Sequence, residues 1–360
     1  MKTVLVSVSN DITHDQRVAK VCATLHSNGF HVKVIGRKLK NSSQSDFPYS
    51  TKRIKLLFNK GFLFYLEFNI RLFFILLFSK KDVLLANDLD TLLPNHLVSK
   101  LTGKKLVFDS HEFFSEIPEL IDRKNTKSIW QFLERYLIPK QKFGITVSQG
   151  IADEYVDLFK VDFEVVKNYP KLKNSPQSDN SNYFGKNSKP IILYQGAVNL
   201  GRGLELMIET MQFLPDYKFV IVGDGDIIDE LKQKVKIAKL SDRIQFLGKK
   251  TPSELQKITP NAALGISLEE DLGLNYRYAL PNKLFDYIQA EIPVLVSDLP
   301  EMKNVVEKHD IGEIAKRRNP KALAEQIQKL IQKDFSAKLS VAKKELIWEN
   351  QEQKLLDIFQ

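Results

Sequence analysis

Residues 275–302 read NYRYALPNKLFDYIQAEIPVLVSDLPEM, and this run decides the architecture. Pro281 and Asn282 carry the proline-then-polar chemistry that opens a helix after an irregular loop. Lys283 and Asp286, three apart, share one face of that helix, whereas Leu284 and Ile288, four apart, share another. The apolar run Pro293 to Ser297 then predicts a short strand inside a sheet. A helix start presents unpaired backbone N–H groups and the positive end of a dipole, and here a lysine stands beside it. Such a start either seats an anion such as a phosphate or is an ordinary α/β helix with solvated charges.

Upstream the same alternation repeats. Ile191 to Gln195, Lys218 to Val222, Ile244 to Leu247 and Ala263 to Ser267 read as strands with helices between them. Thr251-Pro252-Ser253-Glu254 has the capping-box pattern, and Asn319-Pro320 repeats the proline start. An earlier series comprises Thr3 to Ser9, His31 to Ile35, Ile54 to Phe58, Asp82 to Ala86, Lys105 to Asp109 and Gly144 to Val147. Within it a helix from about Thr13 to Ser27 aligns Val18, Val21, Cys22 and Leu25. Strands spaced by helices imply parallel sheets covered on both faces. The polar stretch 171–189, KLKNSPQSDNSNYFGKNSK, separates the two series. The expected organisation is therefore a first domain over 1–170, a linker over 171–189, a second domain over 190–336 and a final helix over 337–360. Doubly wound sheets bind ligands at the carboxyl ends of their strands, so the cleft between halves is the expected site.

Length and charge bound the rest. The chain has 360 residues, comfortable for two domains. Lys and Arg exceed Asp and Glu by 53 to 44, a net charge of +9 that suits anionic partners. The basic residues are dispersed, without the aromatic-studded face that nucleic-acid binding needs. Cys22 is the only cysteine, which excludes an internal disulfide and fits a reducing, cytoplasmic setting. The first residues read as a strand, not as a signal peptide. The stretch Phe62 to Phe78 is apolar but interrupted by Glu67, Asn69 and Arg71, short of the roughly 20 residues a spanning helix needs. It is either a buried domain helix or an apolar face resting on a bilayer. Lys52, Arg53, Lys55, Lys60, Lys80 and Lys81 lie nearby for anionic headgroups.

Several strand-to-helix turns carry chemistry. Tyr194 to Gly203, YQGAVNLGRG, brings three glycines, among them Gly196 and Gly201, and Arg202, whose planar fork suits phosphate oxygens. It is neither a Walker loop nor a strict G-x-G-x-x-G turn. Gly223 lies in a third turn of this kind, where backbone geometry comes first. His111 follows a strand and can donate to or accept from a sugar hydroxyl, or merely satisfy a loop carbonyl. Asp11 reads as a helix cap, and Arg17 as a possible contact for an anionic ligand. Asp88 and Asp90 read as caps rather than catalysts. No His/Cys pair has zinc spacing, and no G-x-S-x-G is present.

These residues together resemble the retaining glycosyltransferases of the GT-B fold, specifically glycosyltransferase family 4. The resemblance is carried by DSHEFF at 109–114, ITVSQGIA at 145–152, YQGAVNLGRGLE at 194–205, VGDGDIIDEL at 222–231, FLGKKTPSEL at 246–255 and ALPNKLFDYIQAEIPVLVSDLPE at 279–301. It implies an α/β fold of two facing Rossmann-like domains, with a C-terminal helix crossing back to the N-terminal one. The C-terminal domain would hold a nucleotide-diphosphate sugar, UDP or GDP undecided, and the N-terminal one a glycan or lipid-linked acceptor. It implies no metal and no other cofactor.

By position in the motifs, Arg202 is the diphosphate-binding basic residue, and Asp286 is the second glutamate of the family's Glu-x7-Glu pattern, on the ribose. His111 is the histidine that contacts the transferred sugar. Gly196, Gly201, Gly223, Lys249, Asn282 and Lys283 complete the donor side, with His111, Arg202 and Lys283 expected to carry catalysis. Departures are visible. Tyr278 stands at the first glutamate, with Glu269, Glu270 and Asp271 upstream as replacements. Ala197 stands at a second phosphate arginine, with Lys283 as its substitute. Asn10-Asp11 replaces a glycine pair, and Glu291 replaces the usual glycine, where a left-handed conformation would be strained. The expected activity is a hexosyl or N-acetylhexosaminyl transfer in bacterial surface-polysaccharide synthesis, cytoplasmic and membrane-peripheral. A nucleotide-sugar 2-epimerase of the same fold and a silent nucleotide-sugar-binding partner are the alternatives.

Overall fold

A computed structural model describes residues 1–40, 42, 46–116, 123–172, 184 and 189–360. The chain divides into two compact units, 1–168 together with 351–360, and 169–350.

In the first unit the order is β1 (Thr3–Ser7), α1 (Gln16–Ser27), β2 (His31–Lys38), β3 (Ser50–Lys55), α2 (Gly61–Phe78), β4 (Val83–Asn87), α3 (Leu89–Thr102), β5 (Lys105–Ser110), α4 (Lys124–Leu137), β6 (Gly144–Thr146), α5 (Gln149–Phe159) and β7 (Glu164–Val165). All pair in parallel, in the order β3-β2-β1-β4-β5-β6-β7. β1 and β4 are buried at every position, as strands covered on both faces must be. The order reverses between β1 and β4, and the carboxyl ends flanking such a reversal are where open α/β sheets bind ligands.

The second unit runs β8 (Ile191–Gln195), α6 (Leu204–Thr210), β9 (Lys218–Val222), α7 (Ile228–Ile237), β10 (Ile244–Gly248), α8 (Pro252–Ile258), β11 (Leu264–Ser267), α9 (Leu274–Arg277), α10 (Asn282–Gln289), β12 (Val294–Val296), α11 (Pro300–His309), β13 (Gly312–Ile314), α12 (Pro320–Ile331) and α13 (Ser336–Glu345). Its parallel order is β10-β9-β8-β11-β12-β13, with the reversal between β8 and β11. One apolar cluster from Tyr169 to Leu346 forms its core. Tyr287 of α10 pins that reversal: its hydroxyl donates to the Leu193 carbonyl at 3.1 Å and accepts the Gln195 N–H at 3.1 Å. The Thr251 capping box forms, and Asn319 caps α12 through its side chain.

Four expectations need correction. The strand expected over Ile54 to Phe58 runs Ser50–Lys55 instead. As the edge strand beside β2 it tolerates exposed charge on its open side, which hid it from a search for apolar runs. The short strands β7 and β13 were not foreseen, being too brief and too polar to show a period. The expected single helix over 337–360 is α13, a turn of 3-10 helix at Trp348–Asn350, and α14 (Glu352–Phe359). Asn350 ends α13 by donating to the Glu345 carbonyl at 2.8 Å, while Trp348 is fully buried. Only 351–360 belongs to the first unit, where Thr24 donates to Glu352 at 2.7 Å and Phe359 meets Phe30 edge-on. The first unit ends at Asn168, because Tyr169 packs on Phe285 of the second. Most of the expected linker, 173–183 and 185–188, lies outside the described residues. Glu291 does take a left-handed φ of 57°, with its carboxylate 3.6 Å from Lys343 Nζ.

Candidate functional site

In the second unit the chemistry gathers at the reversal. β8 ends at Gln195 and turns at Gly196, and Glu269 follows two residues after the end of β11. Glu269 is fully buried, and Lys283 Nζ lies 2.6 Å and Arg202 Nη1 3.6 Å from the same carboxylate oxygen. Burial alone would push this carboxyl up; the Lys283 and Arg202 charges outweigh it and hold it below the ordinary range. Ser267 Oγ donates to its other oxygen at 2.8 Å. Lys283, 7% exposed, hangs from the first turn of α10 over the Tyr194 ring, 4.3 Å from its centroid. Arg202, 26% exposed, lies over Tyr276, and its Nε is buried without a hydrogen-bond partner.

The backbone leaves room for this. Gly196 has φ +136°, and the nearest atom to a β-carbon there, apart from the Tyr194 hydroxyl, would be Lys283 Nζ at 4.0 Å. Gly223, φ +148°, is required: a β-carbon would sit 1.8 Å from the Gly196 carbonyl oxygen. Asp286, on the same helix as Lys283, accepts from Gln195 Nε2 at 3.1 Å, and Gln195 Oε1 accepts from Thr259 at 2.9 Å. Gln195 thus fixes the orientation of the Asp286 carboxylate; nothing in its sequence context marked it. Nor did the sequence mark Arg318, which holds the strand end by donating to the Leu268 and Glu269 carbonyls. Of the three upstream acids only Glu269 joins the cluster, since Glu270 pairs with Arg318 and Asp271 with Arg277. Asn282 opens α10 as expected, and Gly201 sits in the turn before Arg202 with φ +77°. Lys249, largely exposed, pairs instead with Asp224 at 3.9 Å.

The first unit has its own polar centre at its own reversal. The His111 N–H donates to Asp88 Oδ1 at 2.9 Å, and its ring nitrogens lie 3.3 Å from Asp88 and 3.4 Å from Asp109. The contact with Asp109 is an ion pair rather than an aligned hydrogen bond, so Nε2 keeps a donor without a protein acceptor. Burial opposes the charged ring, yet the two carboxylates raise its pKa to about 9 and keep it an imidazolium at neutral pH. Asp109 is held low, at about 2, against its burial by Arg17 and His111. Asp88 follows β4 with the strained φ of 58°, and burial pushes its carboxyl up.

Two readings of this region change. Arg17 is buried and donates Nε and Nη2 to Asp109, with Nη1 on the Val166 carbonyl, so it is a structural ion pair and not an anion contact. Asp88 makes no side-chain cap on α3; its carboxylate serves His111. Asp90, at the start of α3, accepts from Ser9. Asp11 does cap the turn Ile12–His14, through the Thr13 N–H. Among the described residues no group of three or more His, Cys, Asp or Glu could hold a metal ion.

Residues 16–168 match the family model described as Glycosyltransferase Family 4, and residues 177–346 match Glycosyl transferases group 1. The alpha-D-kanosaminyltransferase of Streptomyces kanamyceticus is 22% identical over 252 residues, 66% of this chain and 64% of that protein. The match thus spans under two thirds of that relative's length. Among solved structures, sucrose-phosphate synthase from Thermosynechococcus elongatus superposes with TM-score 0.81 at 15% identity, over 100% of this chain and 98% of that one. HepE of Anabaena, solved with UDP and glucose, gives 0.75 at 14% identity over 100% and 99%. At such identities the likeness is one of fold.

Proposed function

We propose that this chain, a glycosyltransferase of the GT-B type built from a Glycosyltransferase Family 4 domain and a Glycosyl transferases group 1 domain, moves a hexosyl or N-acetylhexosaminyl group from a nucleoside diphosphate sugar to a glycan or lipid-linked acceptor with retention. Synthesis of bacterial surface polysaccharide on the cytoplasmic side of the membrane is the setting this implies. The observation that carries the reading is the convergence of Lys283 and Arg202 on one carboxylate beside Gly196 and the start of α10. Two cations against one anion leave a positive surplus, and Arg202 keeps an unpaired donor there. The site is thereby matched to a diphosphate.

As the bond from the anomeric carbon to the β-phosphate oxygen breaks, charge builds on the leaving diphosphate. Lys283, Arg202 and the first N–H groups of α10 oppose that charge without reorganising, and we assign them the task that a divalent ion performs elsewhere. The acceptor hydroxyl adds to the same face of the anomeric carbon, and its proton passes to the departing phosphate oxygen. No protein base is then needed. His111, already protonated, suits this: an imidazolium donates to a sugar hydroxyl and does not abstract from it. Asp286, oriented by Gln195, is assigned to the ribose, and Gly201, Gly223 and Asn282 to the backbone around the nucleotide.

UDP is the first nucleotide to test, because HepE was solved with it; GDP is the second. In EDTA, labelled UDP- or GDP-sugars should undergo slow hydrolysis in the absence of acceptor. Formation of an epimer, or binding without turnover, would refute the transferase reading. By titration calorimetry Arg202→Ala should weaken the nucleotide by about 1.5–3 kcal/mol, the worth of a charge-assisted contact. Unchanged affinity would remove Arg202 from the site.

A further inference from the structure

We propose that the outer face of α2 in the first unit docks on a bilayer surface bearing anionic lipid headgroups. α2 has two apolar strips on opposite sides. Phe64, Phe68, Leu72 and Leu76 are buried against the unit. Phe62, Leu66, Ile70, Phe74 and Phe78, also four apart, face outward, with Phe62 67%, Phe74 52% and Phe78 81% exposed. A strip of this length, about 25 Å on an 18-residue helix, goes beyond the scattered apolar residues of an ordinary surface. It continues into Leu57 and Phe58, both exposed, in the loop that leads to the helix.

That loop is fixed. Glu67, the one acid of α2, accepts from the Leu57 and Phe58 N–H groups at 2.9–3.1 Å and from Arg71 at 2.8 Å, so its charge is spent on the loop and not presented outward. Lys60 and Lys80 close the two ends of the strip, and Lys52 and Lys55 stand exposed on the adjoining edge strand β3. Lys81 takes no part, because its Nζ caps the Leu77 and Ser79 carbonyls, and Arg53 is paired with Asp11. A further apolar face, Ile129, Phe132 and Tyr136 of α4, is joined to α2 through the Tyr65–Trp130 contact.

By length and composition α2 is the one helix among the described residues that could cross a membrane. Crossing would tear out the buried strip and the hydrogen bond from Asn69 Nδ2 to the Asp90 carbonyl of α3, so the helix lies on the bilayer. The lysine rim decides between occupants. In a two-fold dimer through this face it would meet itself, like charge against like, whereas an anionic headgroup layer complements it.

The test is flotation of the full chain with phosphatidylcholine vesicles, with and without roughly a third of phosphatidylglycerol. The wild type should float with the anionic vesicles and be released by salt. Ile70→Ser with Phe74→Ser, both exposed, should melt like the wild type yet lose tenfold or more of its partitioning, on the order of what withdrawing two apolar side chains costs. Lys52→Gln with Lys55→Gln should lose the preference for anionic lipid. A wild type that never floats overturns the proposal, as does a serine variant that floats unchanged. So does a dimer that the serine variant dissociates with no vesicle binding in either. Sugar transfer does not enter: a chain that floats but transfers nothing keeps the docking face and loses only the activity proposed above.

Discussion

Replacing Glu269 by Gln should destabilise the empty protein and leave the proposed nucleotide site the more cationic. The carboxylate is fully buried, with Lys283 Nζ at 2.6 Å and Arg202 Nη1 at 3.6 Å. Removing one partner of such a buried pair strands the other charges, at about 3–5 kcal/mol. In a domain of this size each kcal/mol moves the melting temperature by about 2–4 °C, so a fall of about 6–20 °C is expected. UDP should offset much of that loss, because a diphosphate supplies the missing negative charge; at a hundredfold excess over Kd binding alone contributes about 2.7 kcal/mol. The pH dependence carries a matching sign. The folded pKa of Glu269 is lowered, so its contribution is present above the ordinary carboxylate value and is lost as pH falls through the folded one. The Gln variant should therefore lose less stability than the wild type on acidification below about pH 4. Differential scanning fluorimetry against pH, with and without UDP, reads all of this. A variant that melts within a degree or two of the wild type, and gains no more from UDP, would refute the argument that these charges share one site.

Two other perturbations test the framework. Asp88→Asn should lower the His111 titration midpoint from about 9, read by NMR on the imidazole proton, since the Asp88 charge is one of the two that raise it. The raised histidine pKa stabilises fully below about 6.5 and fades as pH rises through 9, so the wild type should lose stability across that window more steeply than the variant. An unmoved midpoint would dismiss Asp88 as the partner. Gly223→Ala should cost about 3 kcal/mol or more, because the new β-carbon meets the Gly196 carbonyl at 1.8 Å in a backbone conformation that alanine resists. A variant that unfolds in urea like the wild type would show that the two turns separate freely.

Apolar runs bounded by turns were enough to place β8 and β9 to the residue, because buried parallel strands advertise themselves by composition. They failed at β3, whose edge position permits charge, and at the end of α13, where Leu346, Ile347 and Trp348 continue an apolar pattern although the helix has stopped. At the site, Arg202 and Lys283 stood out as cations at strand-to-helix junctions, and the fold brings them together. What stayed hidden was every pairing between distant residues. Arg17 meets Asp109 across 92 positions, and Gln195 meets Asp286 across 91, distances over which spacing says nothing. Glu269 could not be told from Glu270 and Asp271 by spacing, because only its full burial distinguishes it from its more accessible neighbours.

The last ten residues complete a unit that the chain left at Asn168. On the ribosome, the seat for Phe359 and Glu352 beside Phe30 and Thr24 must wait, uncovered, while all of 169–350 is translated. The later-made unit can close first, and a fragment stopping at 168 would carry a bare apolar scar. Anyone wishing to express that half alone should splice 351–360 back onto it.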